Sequence, residues 1–234
     1  MIHGVVSHGT QFLAPEKRST ATTYYAAGTG VERAIEAFRR PGQKVGVIGL
    51  GVGTLAAYGR PGDTYRFYEI NPQVIDLANR EFTYLEDSRA HIETVTGDGR
   101  LSLEREAPQN FDVLAVDAFS GDSVPVHLLS REAMQLYFRH IKPDGVLAFH
   151  VSNTALALAP VVQQLARELK YAARDLHVNP DKHSGRYESE WVVVARTAQL
   201  LDRPQFAHTS RPFLEIAGLR VWTDDYSTLY PILK

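Results

Sequence analysis

Apolar residues along this chain fall into two kinds of run. Val45 to Ile48, Phe111 to Val116 (FDVLAV) and Val146 to Val151 (VLAFHV) are short, nearly continuous and bounded by turn residues, as buried strands are. Between them, apolar positions recur three and four residues apart. Val31, Ala34, Ile35 and Phe38 do so before Pro41-Gly42, and Val74, Ile75, Leu77 and Ala78 do so after Asn71-Pro72. The pattern predicts a small hairpin around Val5-Val6 with a turn near Pro15, then a helix over 31–40. Next come a strand at 45–49, a short helix at 54–58, a strand at 64–70 and the helix opened by Pro72. A strand at 91–96, a two-turn helix carrying Leu101 and Leu103, and a strand at 111–117 follow. Ser130 is the expected N-cap of a helix over 131–140, and Pro143-Asp144-Gly145 a turn before a strand at 146–151. A helix at 157–169 leads to strands at 171–178 and 191–195, an antiparallel pair across the loop HSGRYESE, and then to a proline-punctuated tail, 198–234.

Strands alternating with helices predict an α/β fold, a parallel sheet with helices on both faces. Residues 1–27 form a β-hairpin element, and 28–234 one Rossmann-like domain. Ligands of such sheets lie outside the carboxyl ends of the strands. There the chain carries Lys44 to Thr54 (KVGVIGLGVGT), a strand running into the glycine turn Gly49, Gly51, Gly53. Glu69 stands twenty residues after Gly49 at the next strand end, with Ile70 beside it. Glycines allow a tight turn close to a ligand, and the acid accepts hydrogen bonds from ribose hydroxyls. The alternative is a turn that serves strand-to-helix packing only. Dinucleotides call for G-x-G-x-x-G. The third glycine here comes one position early, which suits an S-adenosylmethionine-type nucleoside without a pyrophosphate. No P-loop motif is present.

Two more strands end in acids, Asp98 (between Gly97 and Gly99) and Asp117. Asp98 is a helix cap or the acceptor for an adenine amino group. Asp117 caps the following loop, or holds an amine and takes its proton during attack on an electrophilic carbon. Asp122 lies in that loop. Tyr24 and Tyr25 are core aromatics or the lining of an apolar groove. Asp224 and Asp225, between Trp222 and Tyr226, are a solvated turn or a clamp for a cationic substrate.

Composition narrows the chemistry. Lys plus Arg is 25 against Asp plus Glu 27, a net charge of −2, which speaks against a nucleic-acid binder. The absence of cysteine removes disulfides, thiolate metal sites and cysteine nucleophiles. The nine histidines show no H-x-H or H-E-x-x-H pattern, so no metal is expected. No G-x-S-x-G elbow supports a serine hydrolase. No apolar run reaches the roughly 18 residues of a membrane span, no signal peptide is evident, and a cytoplasmic protein without membrane contact is expected. The apolar opening Met1 to Val6 suggests a piece of a longer protein.

Together these motifs resemble the spermidine synthase (polyamine aminopropyltransferase) family. The likeness is nearest to the divergent branch found fused to major-facilitator-type membrane segments. It runs through HGTQ (8–11), TTYY (22–25), VIGLGVGT (47–54), YEIN (68–71), GDGR (97–100), VDAFSGDSVPVHLLS (116–130) and TDDYSTL (223–229). It implies a class I S-adenosylmethionine methyltransferase-type doubly wound sheet with a small N-terminal β element. Decarboxylated S-adenosylmethionine would be the aminopropyl donor, a polyamine the acceptor and methylthioadenosine the product; a homodimer is common in the family. Glu69 matches the ribose-binding acid and Asp98 the acid near adenine. Asp117 matches the acid that opens the family's Asp-Ser-x-Asp-Pro gate loop. Gln11 and Tyr24 fall near the family's substrate-site Gln and Tyr. The family's G-G-G-D-G loop has Val52 here in place of its Asp, its Tyr-His-Glu is Tyr24-Tyr25-Ala26, and the gate loop is longer and lacks Asp-Pro. An aminopropyltransferase, a methyltransferase or other S-adenosylmethionine-consuming enzyme, and a non-catalytic nucleoside-binding domain are the three functions this pattern leaves.

Overall fold

The structure is a computed structural model that describes residues 2–3, 6–7, 9–118, 125–207 and 209–234, with the backbone alone at 2–3 and 6–7. Strands β1 (Ile2–His3) and β2 (Val6–Ser7) pair antiparallel, as a hairpin there requires. Helix α1 (Gly30–Ala37) buries Val31, Ala34 and Ile35, the spaced apolar face. Then follow β3 (Lys44–Ile48), β4 (Thr64–Glu69), α2 (Pro72–Glu81), β5 (His91–Thr96), α3 (Gly99–Arg105) and β6 (Phe111–Val116). After these come α4 (Arg131–His140), β7 (Ile141–His150), α5 (Ala159–Glu168), β8 (Ala172–Val178), β9 (Ser189–Ala195), α6 (Pro204–Ala207) and β10 (Ser210–Arg211). Asn71 and Ser130 cap α2 and α4, accepting from the amides of Gln73 and Ala133. Two segments differ from expectation. Residues 54–58 form a 3-10 turn, and β7 begins at Ile141, absorbing the expected turn at 143–145 as an irregularity in its pairing with β6.

The eight-stranded sheet has the order β10-β8-β9-β7-β6-β3-β4-β5. Strands β3 to β7 pair in parallel, while β9 runs antiparallel to both β7 and β8. From β3 the chain moves outward through β4 and β5, then returns to β6 on the other side. That reversal opens a crevice beyond the carboxyl ends of β3 and β6. Two apolar layers cover the sheet. One gathers Val31, Ile35, Phe67, Trp191 and Val193, and the other Leu103, Tyr137, Phe149, Val162 and Val192. β6 is buried along its whole length, which explains its unbroken apolar run.

Backbone bonds continue past the strands and align their ends. The amides of Gly97, Gly49 and Asp117 donate to the carbonyls of Glu69 (2.9 Å), Tyr68 (2.8 Å) and Ile48 (2.8 Å). Glu69, Gly49 and Asp117 therefore share one edge. The N-terminal segment straps across this end. Tyr84 donates to the carbonyls of Thr10 and Thr20, the Trp191 indole donates to the Tyr24 carbonyl at 3.2 Å, and Thr23 bonds the β8–β9 loop. Among the described residues no helix is long and apolar enough to cross a membrane.

Candidate functional site

A cleft of about 1540 Å³ opens along this edge, among the described residues. One end is made largely of backbone. Gly49, Gly51 and Gly53 have φ of 98°, 55° and 79°, values that favour glycine. A Cβ on Gly49 would run into the Asp117 carbonyl. Glu69 is oriented by two amides, Leu50 to Oε2 at 3.0 Å and Asn71 to Oε1 at 2.9 Å. Each oxygen keeps a lone pair for a hydroxyl. Asp98 caps α3 through Leu101 N (2.9 Å) and meets His127 Nε2 at 3.0 Å. Both readings of Asp98 thus have a structural basis: it is a cap, and it lines the cleft.

Asp117 sits at the centre, its side chain 9% exposed. Tyr25 donates its hydroxyl to Oδ2 at 2.5 Å, and His150 Nδ1 lies 2.7 Å from Oδ1. Burial, and then the Asp117 charge, push the Tyr25 phenol well above its ordinary range, so it keeps its proton. His150 stacks on Trp191, with ring centres 4.6 Å apart and 15° between planes, and the Tyr24 ring leans on His150 at 5.1 Å. His150 Nε2 is 2.8 Å from Ser152 Oγ, which accepts the Glu190 amide at 2.8 Å.

The far end of the cleft is built from side chains of the antiparallel strands. Asp175, His177, Glu188 and Glu190 line it, joined by Arg211 from β10. Arg211 Nε donates to Asp175 Oδ2 at 2.8 Å, and the guanidinium also pairs with Glu190. Asp175 is 2% exposed, and its Oδ1 has no hydrogen-bond partner among the described residues. Burial raises its carboxyl to about 6, with the Glu190 charge adding to the rise and Arg211 opposing it. Three acids against one arginine make this wall suited to a cation.

Of the residues singled out in the sequence, Gly49, Gly51, Glu69, Ile70, Asp98, Gly99, Asp117, Tyr24 and Tyr25 meet at the cleft. Gly53 stands behind the turn, packed against Leu85. Gln11 does not reach the cleft. It binds Thr83 and the Arg18 carbonyl, pinning the strap to the segment after α2. Asp224 is not among the residues lining the cleft: Arg100 holds it bidentate at 2.7 and 2.6 Å, Ser130 donates to it at 2.6 Å, and Arg100 pulls its carboxyl down to about 2. Asp225 likewise lies away from the cleft lining. Asp122 lies outside the described residues. Val52 is 1% exposed and packs on Gly9, so an apolar residue suits that position. His150, Ser152, Asp175 and Glu190 were not singled out. A polar residue closing an apolar strand had identified Asp117, and the same signal marks His150 at the end of VLAFHV.

No family model matches the chain. It is 29% identical over 118 residues to a polyamine aminopropyltransferase of Vibrio vulnificus, a match covering 48% of this chain and 39% of that protein. It is also 29% identical over 129 residues to an N-terminal histidine N-methyltransferase of Emericella nidulans, covering 49% of this chain and 22% of that protein. The matches thus span well under half the length of these relatives. Among solved structures, a probable spermidine synthase from Corynebacterium glutamicum aligns with TM-score 0.55 at 19% identity, covering 71% of this chain and 60% of that one. Human methyltransferase-like protein 13, solved with SAH, aligns with TM-score 0.55 at 17% identity, covering 83% and 93%. The fold is therefore that of class I S-adenosylmethionine methyltransferases and spermidine synthases. The proteins similar in sequence whose names give an activity are transferases of an aminopropyl or a methyl group.

Proposed function

We propose that this chain is a spermidine synthase-like aminopropyltransferase. It uses decarboxylated S-adenosylmethionine and a polyamine and releases methylthioadenosine. The observation that carries the proposal is the placement of Asp117. Its carboxylate is fixed by Tyr25 and His150 in one cleft with Glu69 and Asp98 on one side and the acidic wall of Asp175, Glu188 and Glu190 on the other. Glu69 takes the ribose and Asp98 the adenine side. Gly49 and Gly51 keep the floor low enough for the nucleoside. The donor supplies a carbon activated by a sulfonium. Asp117 holds the attacking amine in line with the C–S bond and stabilises the positive charge that grows on nitrogen as the C–N bond forms and the C–S bond breaks, its electron pair going to sulfur. Residues 1–27 act as an accessory element that presents Tyr24 and Tyr25 to residues 28–234.

A methyltransferase is the second reading, and Val52 favours it. With that side chain buried under Gly9, the loop lacks the acid that grips the donor's amino end in the family it resembles. Incubation with decarboxylated or intact S-adenosylmethionine, with and without putrescine, separates the two. Methylthioadenosine formed only from the decarboxylated donor plus amine is the expected result, and S-adenosylhomocysteine would sink the first reading. Asp117→Asn lowers turnover by roughly 10²–10⁴-fold and leaves methylthioadenosine binding within a few-fold. Joint loss of both would mean that Asp117 belongs to the nucleoside site.

A further inference from the structure

An alkylammonium titrates at about 10, as lysine does, yet only the free amine attacks a sulfonium carbon. One proton must leave the acceptor in each turnover. Asp117 is the obvious destination, but both of its oxygens already receive protein donors, Tyr25 on Oδ2 and His150 on Oδ1. The geometry instead describes a chain of groups with defined direction. An ionised carboxylate only accepts, so His150 carries its proton on Nδ1 and leaves Nε2 as an acceptor. Ser152 Oγ accepts the Glu190 amide at 2.8 Å, and of the two acceptors within reach of its own O–H, His150 Nε2 at 2.8 Å is much nearer than the Glu190 carbonyl at 3.5 Å. Ser152 is half-buried and, like His150, lines the cleft. The imidazole is locked in orientation by its 4.6 Å stack on Trp191.

We propose that His150, acting through Ser152, takes the proton that the attacking amine loses, while Asp117 holds the resulting imidazolium. This deepens the aminopropyltransferase reading and rests on it for the identity of the amine. The acceptor arrives as an ammonium; its N–H bond breaks toward Ser152 Oγ as the Ser152 hydroxyl proton moves to His150 Nε2, leaving a neutral amine and an imidazolium. The nitrogen lone pair is freed for attack, and no group other than the amine and the relay changes its proton count. The product leaves, and His150 returns the proton to solvent by the same path. The order of groups is that of an acid–imidazole–hydroxyl triad, with the hydroxyl serving as a proton carrier. Among the described residues, the titratable groups facing His150 include Asp117 just past β6 and Tyr24 and Tyr25 on the strap. Glu190 meets the relay through its backbone amide. Both phenols are held above their ordinary range, chiefly by burial, and keep their protons.

The test is a pH–rate profile of the purified chain with decarboxylated S-adenosylmethionine and putrescine, read beside methylthioadenosine affinity. His150→Gln keeps the shape and loses the titration. Its kcat falls by roughly 10²-fold near pH 7.5, and the deficit shrinks as the pH approaches the amine's own titration. Ser152→Ala, at a less buried position, shows the same pH-shaped deficit, and both variants keep wild-type nucleoside affinity. A deficit equal at every pH, or none, overturns the relay. Nitrogen NMR of the imidazole in the wild-type chain gives an independent reading. Protonated Nδ1 with bare Nε2 above neutral pH is the expected tautomer, and the opposite one overturns the relay whatever group is transferred. If methyl transfer replaces aminopropyl transfer while the tautomer and pH-shaped deficits stand, the reading of the donor fails and the relay survives.

Discussion

At the β3–β4–β6 end of the cleft the wall is backbone with a few acids hung from it; at the β8–β9–β10 end it is side chains bound to one another. Gly49 turns beneath the Asp117 carbonyl, and Glu69 is held by two main-chain amides. Across the cleft, Asp175 and Glu190 are held by the guanidinium of Arg211, and His177 by Glu188. A backbone wall is fixed by φ/ψ and fits a constant part of a ligand, such as a nucleoside. A side-chain wall is set by charge balance and can change its selectivity with a single substitution. Asp117 stands where the two meet.

The sharpest way to break the comparison is Gly49→Ala. Its φ of 98° disfavours any side chain, and the added methyl would press on the Asp117 carbonyl, which belongs to β6's rigid end. We expect a loss of about 3 kcal/mol or more, seen as a large drop in melting temperature together with loss of methylthioadenosine binding. A mild effect would mean that the backbone end can shift, contrary to its fixed character.

Glu69→Gln probes the same end without moving its backbone. The amide retains one acceptor and loses the charge that strengthens bonds from ribose hydroxyls. A hydrogen bond to a charged group contributes about 1.5–3 kcal/mol, so methylthioadenosine affinity should fall roughly 10–100-fold by calorimetry. Unchanged affinity would remove Glu69 from the nucleoside site. Because Glu69 Oε2 also accepts the Leu50 amide, a melting curve taken alongside separates binding from folding.

The same contrast explains what could be read from the sequence. Glycines at 49, 51 and 53, and acids closing strands at 69, 98 and 117, are local signals with a fixed distance to a strand end, and they mark the wall at which we propose the nucleoside binds. The far wall depends on register. Strand β8 pairs His177 with Glu190, and β10 pairs Arg211 with Asp175, across separations no short motif spans. Gln11 and Asp224 depend on distance along the chain too: they bond Thr83 and Arg100, far away in sequence, and neither lines the cleft. Val52 stands where the family pattern has an Asp, and its burial against Gly9 is a contact that sequence spacing does not convey.

The smallest expected effect tests the side-chain end by its protons. Asp175 in the folded chain titrates at about 6, against an ordinary value of 3.8, because it is buried and faces Glu190. Between those values the folded state keeps a proton that the unfolded state has released, so stability falls as pH rises through this window and the penalty is constant above it. Asp175→Asn removes the titration and keeps the shape. The variant should match the wild type near pH 4 and gain on it up to about pH 6. The full shift sets an upper bound of about 3 kcal/mol; solvent screening at the Arg211 edge reduces it, so at pH 7.5 the variant should be more stable by about 1 kcal/mol, or roughly 2–4 °C in Tm. Arg211 stays solvated at its outer edge and still pairs with Glu190, so the substitution strands no buried cation. A variant that loses stability relative to the wild type as pH rises would show the opposite, that the Asp175–Arg211 pair outweighs the burial of the charge. The far wall would then be held together by its ion pairs as firmly as the near wall is by its backbone.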